Sequence, residues 1–65
     1  MPKGIVKFFN AKTKFGFIIV EETEQEIYVH AKDVLESIDT GDDVEFEIKE
    51  MKRGPVAVDV KKLNA

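Results

Sequence analysis

Five short runs of β-branched and aromatic residues, separated by polar or glycine-containing segments, most constrain what this chain can fold into. The runs are Gly4–Asn10, Phe15–Val20, Glu26–His30, Val44–Lys49 and Val56–Val60. Their lengths and compositions are typical of strands. An open sheet of five strands in a chain of 65 residues would leave its edges unpaired. We therefore predict an all-β fold, a five-stranded antiparallel barrel that is closed or partly closed.

The segments between the runs predict tight connections and one short helical turn. The tetrapeptide AKTK at 11–14 has the length of a hairpin connection, so the first two strands should pair. Gly41 and the Arg-Gly-Pro triplet at 53–55 mark turns. Three apolar residues of segment 31–41 have roughly helical spacing, which predicts one or two helical turns between the third and fourth strands. These residues are Val34, Leu35 and Ile38.

Side chains that alternate along each run identify the barrel interior. Val44, Phe46 and Ile48 alternate with Glu45 and Glu47, which separates an apolar face from a charged face. The same rule applied to the other runs supplies enough aliphatic residues to fill a small barrel. The predicted interior consists of Val6, Ile18, Val20, Ile27, Val29, Val44, Phe46, Ile48, Val58 and Val60.

With the interior filled, the aromatic residues of the second and third strands should face outward. Phe15 and Phe17 alternate with Ile18, and Tyr28 and His30 alternate with the aliphatic residues of their own run. Exposed rings grouped on one sheet are unusual and point to a binding surface. Three other interpretations fit the same residues: a core that contains these rings, a contact with another protein, or a dimer face.

A net charge of −3 hides a division of charge along the chain. Residues 1–20 carry four lysines and no acid, residues 21–50 carry twelve acids against two lysines, and residues 51–65 carry four basic residues against one acid. Such segregation can build a positive surface on an acidic protein, although charges also cover any solvent face. Four acids lie around the turn between the second and third strands, where we expect a solvated loop that could also repel phosphates. They are Glu21, Glu22, Glu24 and Glu26.

The composition disfavours an enzyme, a metal site and a membrane span. The chain has no cysteine and one histidine, His30, and its one serine, Ser37, lies in no nucleophile motif. The longest stretch without a polar side chain, Phe15–Val20, is too short to cross a bilayer. We expect a non-enzymatic cytoplasmic monomer of one domain spanning residues 1–65, with no cofactor, no small-molecule substrate and no membrane partner.

Outward rings flanked by lysines suit a particular ligand chemistry. Unpaired bases stack on aromatic side chains, and nearby cations hold the phosphate backbone in a salt-dependent manner. A duplex hides its base faces, so this surface favours single strands. From the residues alone, a protein-interaction barrel that uses the aromatic patch remains the alternative.

Several motifs resemble those of bacterial cold-shock proteins and of cold-shock domains generally. Residues 7–18, KFFNAKTKFGFI, resemble the KWFNxxKGFGFI signature, and residues 27–30, IYVH, resemble VFVH. Residues 41–48, GDDVEFEI, are similar to GxxVxFEI, and Arg-Gly-Pro followed by Ala57 matches RGPxA. The similarity runs in order from Gly4 to about Val60. The resemblance implies an OB-fold barrel that binds single-stranded RNA or DNA, with RNA-chaperone activity and effects on transcription or translation.

The resemblance also implies roles for individual residues. Aromatic positions would stack bases, His30 would stack or donate hydrogen bonds, basic positions would contact the backbone, and Asn10 and Glu26 would touch base edges. Phe9 should be partly buried as packing. The resulting candidate site consists of Lys7, Phe8, Asn10, Lys12, Lys14, Phe15, Phe17, Glu26, Tyr28, His30, Lys32 and Arg53.

The chain departs from the family pattern at several positions. Phe8 replaces the usual tryptophan, Lys14 replaces a glycine in the first hairpin, and Ala31 and Lys32 replace an aromatic residue and a serine. The loop that follows is shorter and lacks its aromatic residue. Each lost ring should weaken binding by about 1–3 kcal/mol, and Lys32 could recover part of this loss through a phosphate contact.

Overall fold

The computed structural model describes residues 1–63, which form a closed five-stranded barrel. The expected domain of residues 1–65 therefore includes two residues that lie outside the described part. The strands are β1 (Lys3–Asn10), β2 (Phe15–Val20), β3 (Glu26–His30), β4 (Asp43–Met51) and β5 (Gly54–Lys62), with a 3₁₀ turn at Ala31–Asp33. Around the barrel they follow the order β1-β2-β3-β5-β4. The predicted all-β barrel, with its short helical turn between the third and fourth strands, is confirmed.

One strand pair closes the barrel in parallel orientation. β3 and β5 pair through Tyr28 opposite Val56 and Val29 opposite Ala57, whereas the other pairs are antiparallel. The chain crosses from β3 to β4 through segment 31–42, and β5 then returns in the direction of β3. An isolated parallel bridge between Val34 and Val60 continues this seam. Because these contacts are between residues far apart in sequence, run lengths alone did not reveal the parallel pair.

A bulge in β1 changes which side chains reach the outer face. Val6 lies opposite Ile18, but the next paired residue is Phe8, opposite Phe17, so Lys7 is the additional residue. Val6 is buried, while Lys7 and Phe8 are both exposed. Phe9 is half-buried against the core, as the sequence predicts. The bulge therefore places a cation and a ring next to each other on the outside.

A second irregularity corrects the predicted interior at β5. Glu45 lies opposite Lys61 but Glu47 lies opposite Val58, and Asp59 has a positive φ of 52°. The alternation therefore changes phase at Asp59, so that Ala57 and Val60 point inward. Val58, which the sequence placed in the interior, is only half-buried.

The predicted burial of Ile48 is also wrong. Its side chain is 41% exposed although its neighbour across the sheet, Ala57, is buried. β4 pairs with β1 only through residues 43–45, and in the described part of the chain its later residues pair only with β5. Ile48 therefore lies beyond the part of β4 that β1 covers, and its side chain stays exposed although β5 continues to pair with it.

The core is otherwise the one that alternation predicts, with one addition from the connecting segment. Ile38 is buried, Val34 packs partly against the core, and Leu35 is exposed. Two of the three residues with helical spacing therefore contact the core and Leu35 does not, and the 3₁₀ turn lies before all three, at Ala31–Asp33. The buried core comprises Val6, Ile18, Val20, Ile27, Val29, Ile38, Val44, Phe46, Ala57 and Val60.

Gly16 allows β1 and β2 to approach closely beneath the outer face. A Cβ atom at this position would lie 2.8 Å from the Cα atom of Phe9 and would also meet the carbonyl oxygen of Phe8. Both of these are backbone atoms, so they cannot move aside as a side chain would. The absence of a side chain at Gly16 thus helps to hold Phe8 beside Phe17.

We expect Gly16→Ala to lower the free energy of unfolding by about 1–3 kcal/mol, because the added methyl group would separate the two strands. Gln25→Ala, at an exposed position between strands, should change it by less than about 0.5 kcal/mol. Urea denaturation followed by circular dichroism measures both values. Equal stability of Gly16→Ala and the wild type would show that the close approach is unimportant.

No helix within residues 1–63 is long and apolar enough to cross a membrane.

Candidate functional site

The outer face of β1, β2 and β3 carries a group of rings that we call the ring cluster. It consists of Phe8, Phe15, Phe17, Tyr28 and His30. Strand register explains the grouping, because Phe17 lies opposite both Phe8 on β1 and Tyr28 on β3, while Phe15 lies opposite His30. Paired residues point to the same side of a sheet, so the rings form one surface.

Distances within the ring cluster show continuous contact between neighbouring rings. The centroids of Phe8 and Phe17 are 5.6 Å apart, those of Phe17 and Tyr28 are 6.0 Å apart, and those of Tyr28 and His30 are 6.5 Å apart. Phe15 and Tyr28 lie 5.9 Å apart with planes inclined by only 22°. Edge-to-face pairs and near-parallel pairs at these separations hold each ring in place.

The rings face outward, as the sequence predicts. Phe8 is 38% exposed, and the other four members of the ring cluster are half-buried. Ile18 is fully buried on the opposite side of β2. The alternative in which Phe15 and Phe17 belong to the core and Ile18 lies outside is therefore wrong.

Lys7 and Glu26 form an ion pair at one edge of the ring cluster. Lys7 Nζ lies 3.1 Å from Glu26 Oε2, and both side chains are about half exposed. Exposed ion pairs contribute at most about 1 kcal/mol, so a phosphate group can compete for the lysine. Lys7 and Glu26, both predicted as site residues from the sequence, therefore lie beside the ring cluster and form an ion pair with each other.

Asn10 holds the turn that presents two further lysines. Its Oδ1 accepts hydrogen bonds from the backbone N–H groups of Lys12 at 2.8 Å and Thr13 at 3.3 Å. The sequence assigned Asn10 to base edges, but in the structure its side-chain oxygen is occupied by the turn. Sequence analysis missed this function, although an asparagine two residues before a turn residue is a recognisable signal.

Lys14 adopts a backbone conformation that normally favours glycine. Its φ of 66° lies in the left-handed region, and its carbonyl accepts a hydrogen bond of 2.8 Å from the N–H of Ala31. The resemblance places a glycine at this position, so the turn keeps the conformation while the residue changes. The turn thus gains an exposed cation and a strained backbone.

A groove joins the ring cluster to the β4–β5 turn. It has a volume of about 560 Å³, and Tyr28, His30, Lys32, Met51 and Arg53 are among its lining residues. His30 Nδ1 accepts a hydrogen bond of 3.1 Å from the N–H of Lys32, which orients the imidazole at the groove. Basic residues of segment 31–33 and of the β4–β5 turn therefore meet beside Tyr28 and His30.

Sequence analysis missed two residues near this surface. Met51 is 45% exposed and contributes an apolar wall to the groove. Lys49 is exposed and lies opposite Val56, which itself lies opposite Tyr28, so the three residues share one outer row. The outward position of Lys49 was readable from alternation, but its relation to Tyr28 depends on the parallel pair of β3 and β5.

The surface offers rings for stacking and cations for charge. Among residues 1–63, no group of three or more His, Cys, Asp or Glu side chains is placed to hold a metal ion. Within the same residues, Lys12, Lys14, Lys32 and Arg53 form no ion pair with an acid. They therefore leave positive charge available around the rings.

We expect Lys14→Gly to raise the free energy of unfolding by about 0.5–1 kcal/mol, since glycine relieves the left-handed strain at the cost of greater freedom in the unfolded chain. Lys12→Gly removes the same charge at a position without a positive φ and should lower stability. Urea denaturation of both variants measures the difference. A similar loss of stability in both would contradict a strained Lys14.

Comparisons with known proteins agree with the motifs and the fold. The family model described as the "Cold-shock" DNA-binding domain matches residues 2–63. Cold shock protein CspA from Staphylococcus haemolyticus is 46% identical over 67 aligned residues, which cover 97% of this chain and 100% of the relative. CspA from Staphylococcus aureus shows the same identity and coverage.

A solved structure supports the barrel topology. The chain named drosophila Unr CSD456 superimposes with a TM-score of 0.81 and 26% sequence identity. The match covers 97% of the present chain and 26% of the Unr chain. The present chain thus corresponds to about a quarter of that longer protein.

Proposed function

The chain belongs to the cold-shock domain family, and from this membership we propose that it binds single-stranded RNA or DNA across the ring cluster. The family implies nucleic-acid binding. We propose in addition that the ligand is single-stranded, that the residues around the ring cluster hold it, and that its binding has a consequence in the cell. The observation that carries it is the row of outward rings in contact on three adjacent strands, with Phe8, Phe17 and Tyr28 side by side.

Stacking supplies the part of binding that requires unpaired bases. Each base that packs on an exposed ring contributes about 1–3 kcal/mol, whatever its sequence. Phe8 is the most exposed ring, and Tyr28 lies where the ring cluster meets the groove. Phe15 and Phe17 contact both of these rings and offer their own surfaces to bases. A duplex would keep its bases out of reach of this surface.

Cations around the ring cluster bind the phosphate backbone. Lys12 and Lys14 stand on the first hairpin turn, Arg53 stands on the β4–β5 turn, and Lys32 lies between them at the groove. Lys7 joins this set when a phosphate displaces Glu26. Glu26 is then free to accept a hydrogen bond from a base, and His30 is placed to stack or donate at the groove. Asn10 contributes by holding the turn.

The replacements relative to the family pattern reduce stacking at one end of the surface. Ala31 offers a methyl group where the family has a ring, and it lies half-buried beside exposed Lys32. We propose that Lys32 and Lys49 substitute charge for the missing stacking. Binding by this chain should then depend more on salt than binding by a fully aromatic member of the family.

Binding only unpaired strands gives a chaperone function without chemistry. A protein that binds the open state shifts the equilibrium between hairpin and open strand by mass action, and it needs no ATP. Weak RNA hairpins would melt, and transcription or translation would respond to their melting. This activity belongs to the cytoplasm, and a monomer is sufficient for it because one barrel carries all the rings.

Substitution of the rings tests the stacking surface. Phe15→Ala combined with Phe17→Ala should weaken binding to a labelled single-stranded oligonucleotide by about 1–3 kcal/mol for each ring, or about 5- to 150-fold for each. The matched variant, Phe15→Leu with Phe17→Leu, keeps apolar bulk without a flat face and should also lose affinity. Leu35→Ala, at an exposed apolar residue away from the rings, should not. A folded double variant that binds as tightly as the wild type would disprove the site.

Salt dependence separates this proposal from a protein-interaction barrel. With three or four phosphates neutralised, affinity should fall about 20- to 50-fold between about 50 and 200 mM salt. Lys12→Gln, Lys14→Gln and Lys49→Gln should each reduce the logarithmic salt slope by about 0.7, and Lys62→Gln, whose side chain pairs with Asp42, should leave it unchanged. Fluorescence anisotropy titrations provide these slopes. Affinity that is independent of salt would indicate an apolar protein contact instead.

A further inference from the structure

The end of the barrel away from the hairpin turn at 11–14 carries two adjoining depressions that meet at Lys3, Val20 and Glu21. One extends over Ile5 and Ile19, and the other extends to Ile48. Their volumes are about 500 and 650 Å³. A backbone hydrogen bond of 2.8 Å from the N–H of Glu21 to the carbonyl of Lys3 holds the point where they meet. We call this combined surface the acidic groove because four carboxylate side chains line it.

Three of the six large apolar side chains that residues 1–63 expose line the acidic groove. Met1 is 61% exposed, Ile5 is 50% exposed and Ile48 is 41% exposed, and all three line the groove. The other large exposed apolar residues of the described chain are Phe8, which belongs to the ring cluster, Met51, which lies beside it, and Leu35, which stands apart from both surfaces. Apolar side chains that gather in this way mark a contact site.

Carboxylates surround these apolar side chains. Glu21, Glu22, Glu24 and Asp43 line the two depressions, against one lysine, Lys3. The four acids are exposed. They create a negative field that repels phosphates, so the groove cannot extend the nucleic-acid surface, although Ile19 follows Phe17 on the same face of β2. The Lys7–Glu26 ion pair stands at the boundary between the two surfaces.

We propose that the acidic groove binds a basic segment of a partner protein, one in which aliphatic side chains alternate with lysine or arginine. Charge complementarity selects the cations, and the exposed isoleucines bury the aliphatic side chains. Basic segments of this kind are common in proteins that bind nucleic acids. The chain would then hold a single strand on one surface and a basic protein on another, without competition between the two ligands.

A peptide titration of the full chain tests this inference. The probe is a short synthetic peptide of alternating lysine and valine, and the two control peptides replace lysine by glutamate or valine by serine. In spectra of ¹⁵N-labelled protein, the probe should shift the amide resonances of Ile5, Glu21 and Ile48 and leave those of Phe15 and Tyr28 unmoved. Both control peptides should bind at least about tenfold more weakly, because each lacks one of the two contributions.

Variants of the chain supply the second half of the test. Ile5→Ser combined with Ile48→Ser should weaken peptide binding about tenfold or more, since the valine side chains of the peptide lose the apolar surface against which they are buried. Leu35→Ser is the matched control and should change it less than twofold. Glu21→Lys with Glu22→Lys should also abolish peptide binding. Oligonucleotide affinity of the isoleucine variant should equal that of the wild type, which confirms its fold and separates the two proposals.

Three results would overturn the inference. The serine peptide could bind as tightly as the valine peptide, which would indicate attraction by charge alone. The probe could shift the ring cluster rather than the groove, which would indicate one shared surface. The probe could also cause no shift in a protein that still binds oligonucleotide, which would reject the groove and leave the nucleic-acid proposal intact.

Discussion

The limited volume of the barrel is the constraint on which the rest of the structure depends. Within residues 1–63, ten residues, nearly all aliphatic, fill the interior, and Phe46 is the only ring that is fully buried there. Because neighbouring residues on a strand point to opposite sides, every further ring on β2 and β3 must face outward. The ring cluster is thus a consequence of how the core is filled. A sequence that moved a second ring inward would have to remove aliphatic volume elsewhere.

Local departures from regular strands then position the site on this framework. The bulge at Lys7 places that lysine and Phe8 together on the outer face, and Gly16 lets the backbone of β1 approach β2 beneath them. The turn at 11–14 depends on Asn10 and on the left-handed backbone of Lys14. Regular alternation alone would separate Lys7 from Phe8, so the irregular positions matter as much as the rings.

Sequence analysis predicted the direction of a side chain where it depends on neighbouring residues in the same strand. It failed where burial depends on pairing between strands that are distant in sequence. Alternation placed Val44 and Phe46 inside and Phe15 and Phe17 outside, since two-residue periodicity is a local property. It failed at Val58 because the phase change at Asp59 depends on the register with β4. It failed at Ile48 because burial there depends on whether β1 reaches that far along β4. The OB-fold and the residue roles came from the motif resemblance, which the family match supports.

The distribution of charge over the surface also depends on contacts between residues that are distant in sequence. Lysines of the first twenty residues and basic residues near the β4–β5 turn are far apart in sequence, and the groove brings Arg53 to the rings that the first hairpin carries. The acids of the turn after β2 lie at the opposite end of that hairpin from Lys12 and Lys14. A hairpin with cations at one end and carboxylates at the other orients a polyanion before contact is made, because the local field and not the net charge of −3 acts on it. In the proposed binding mode the rings then have to select only for unpaired bases, since the field would confine the strand to the end of the hairpin where they lie.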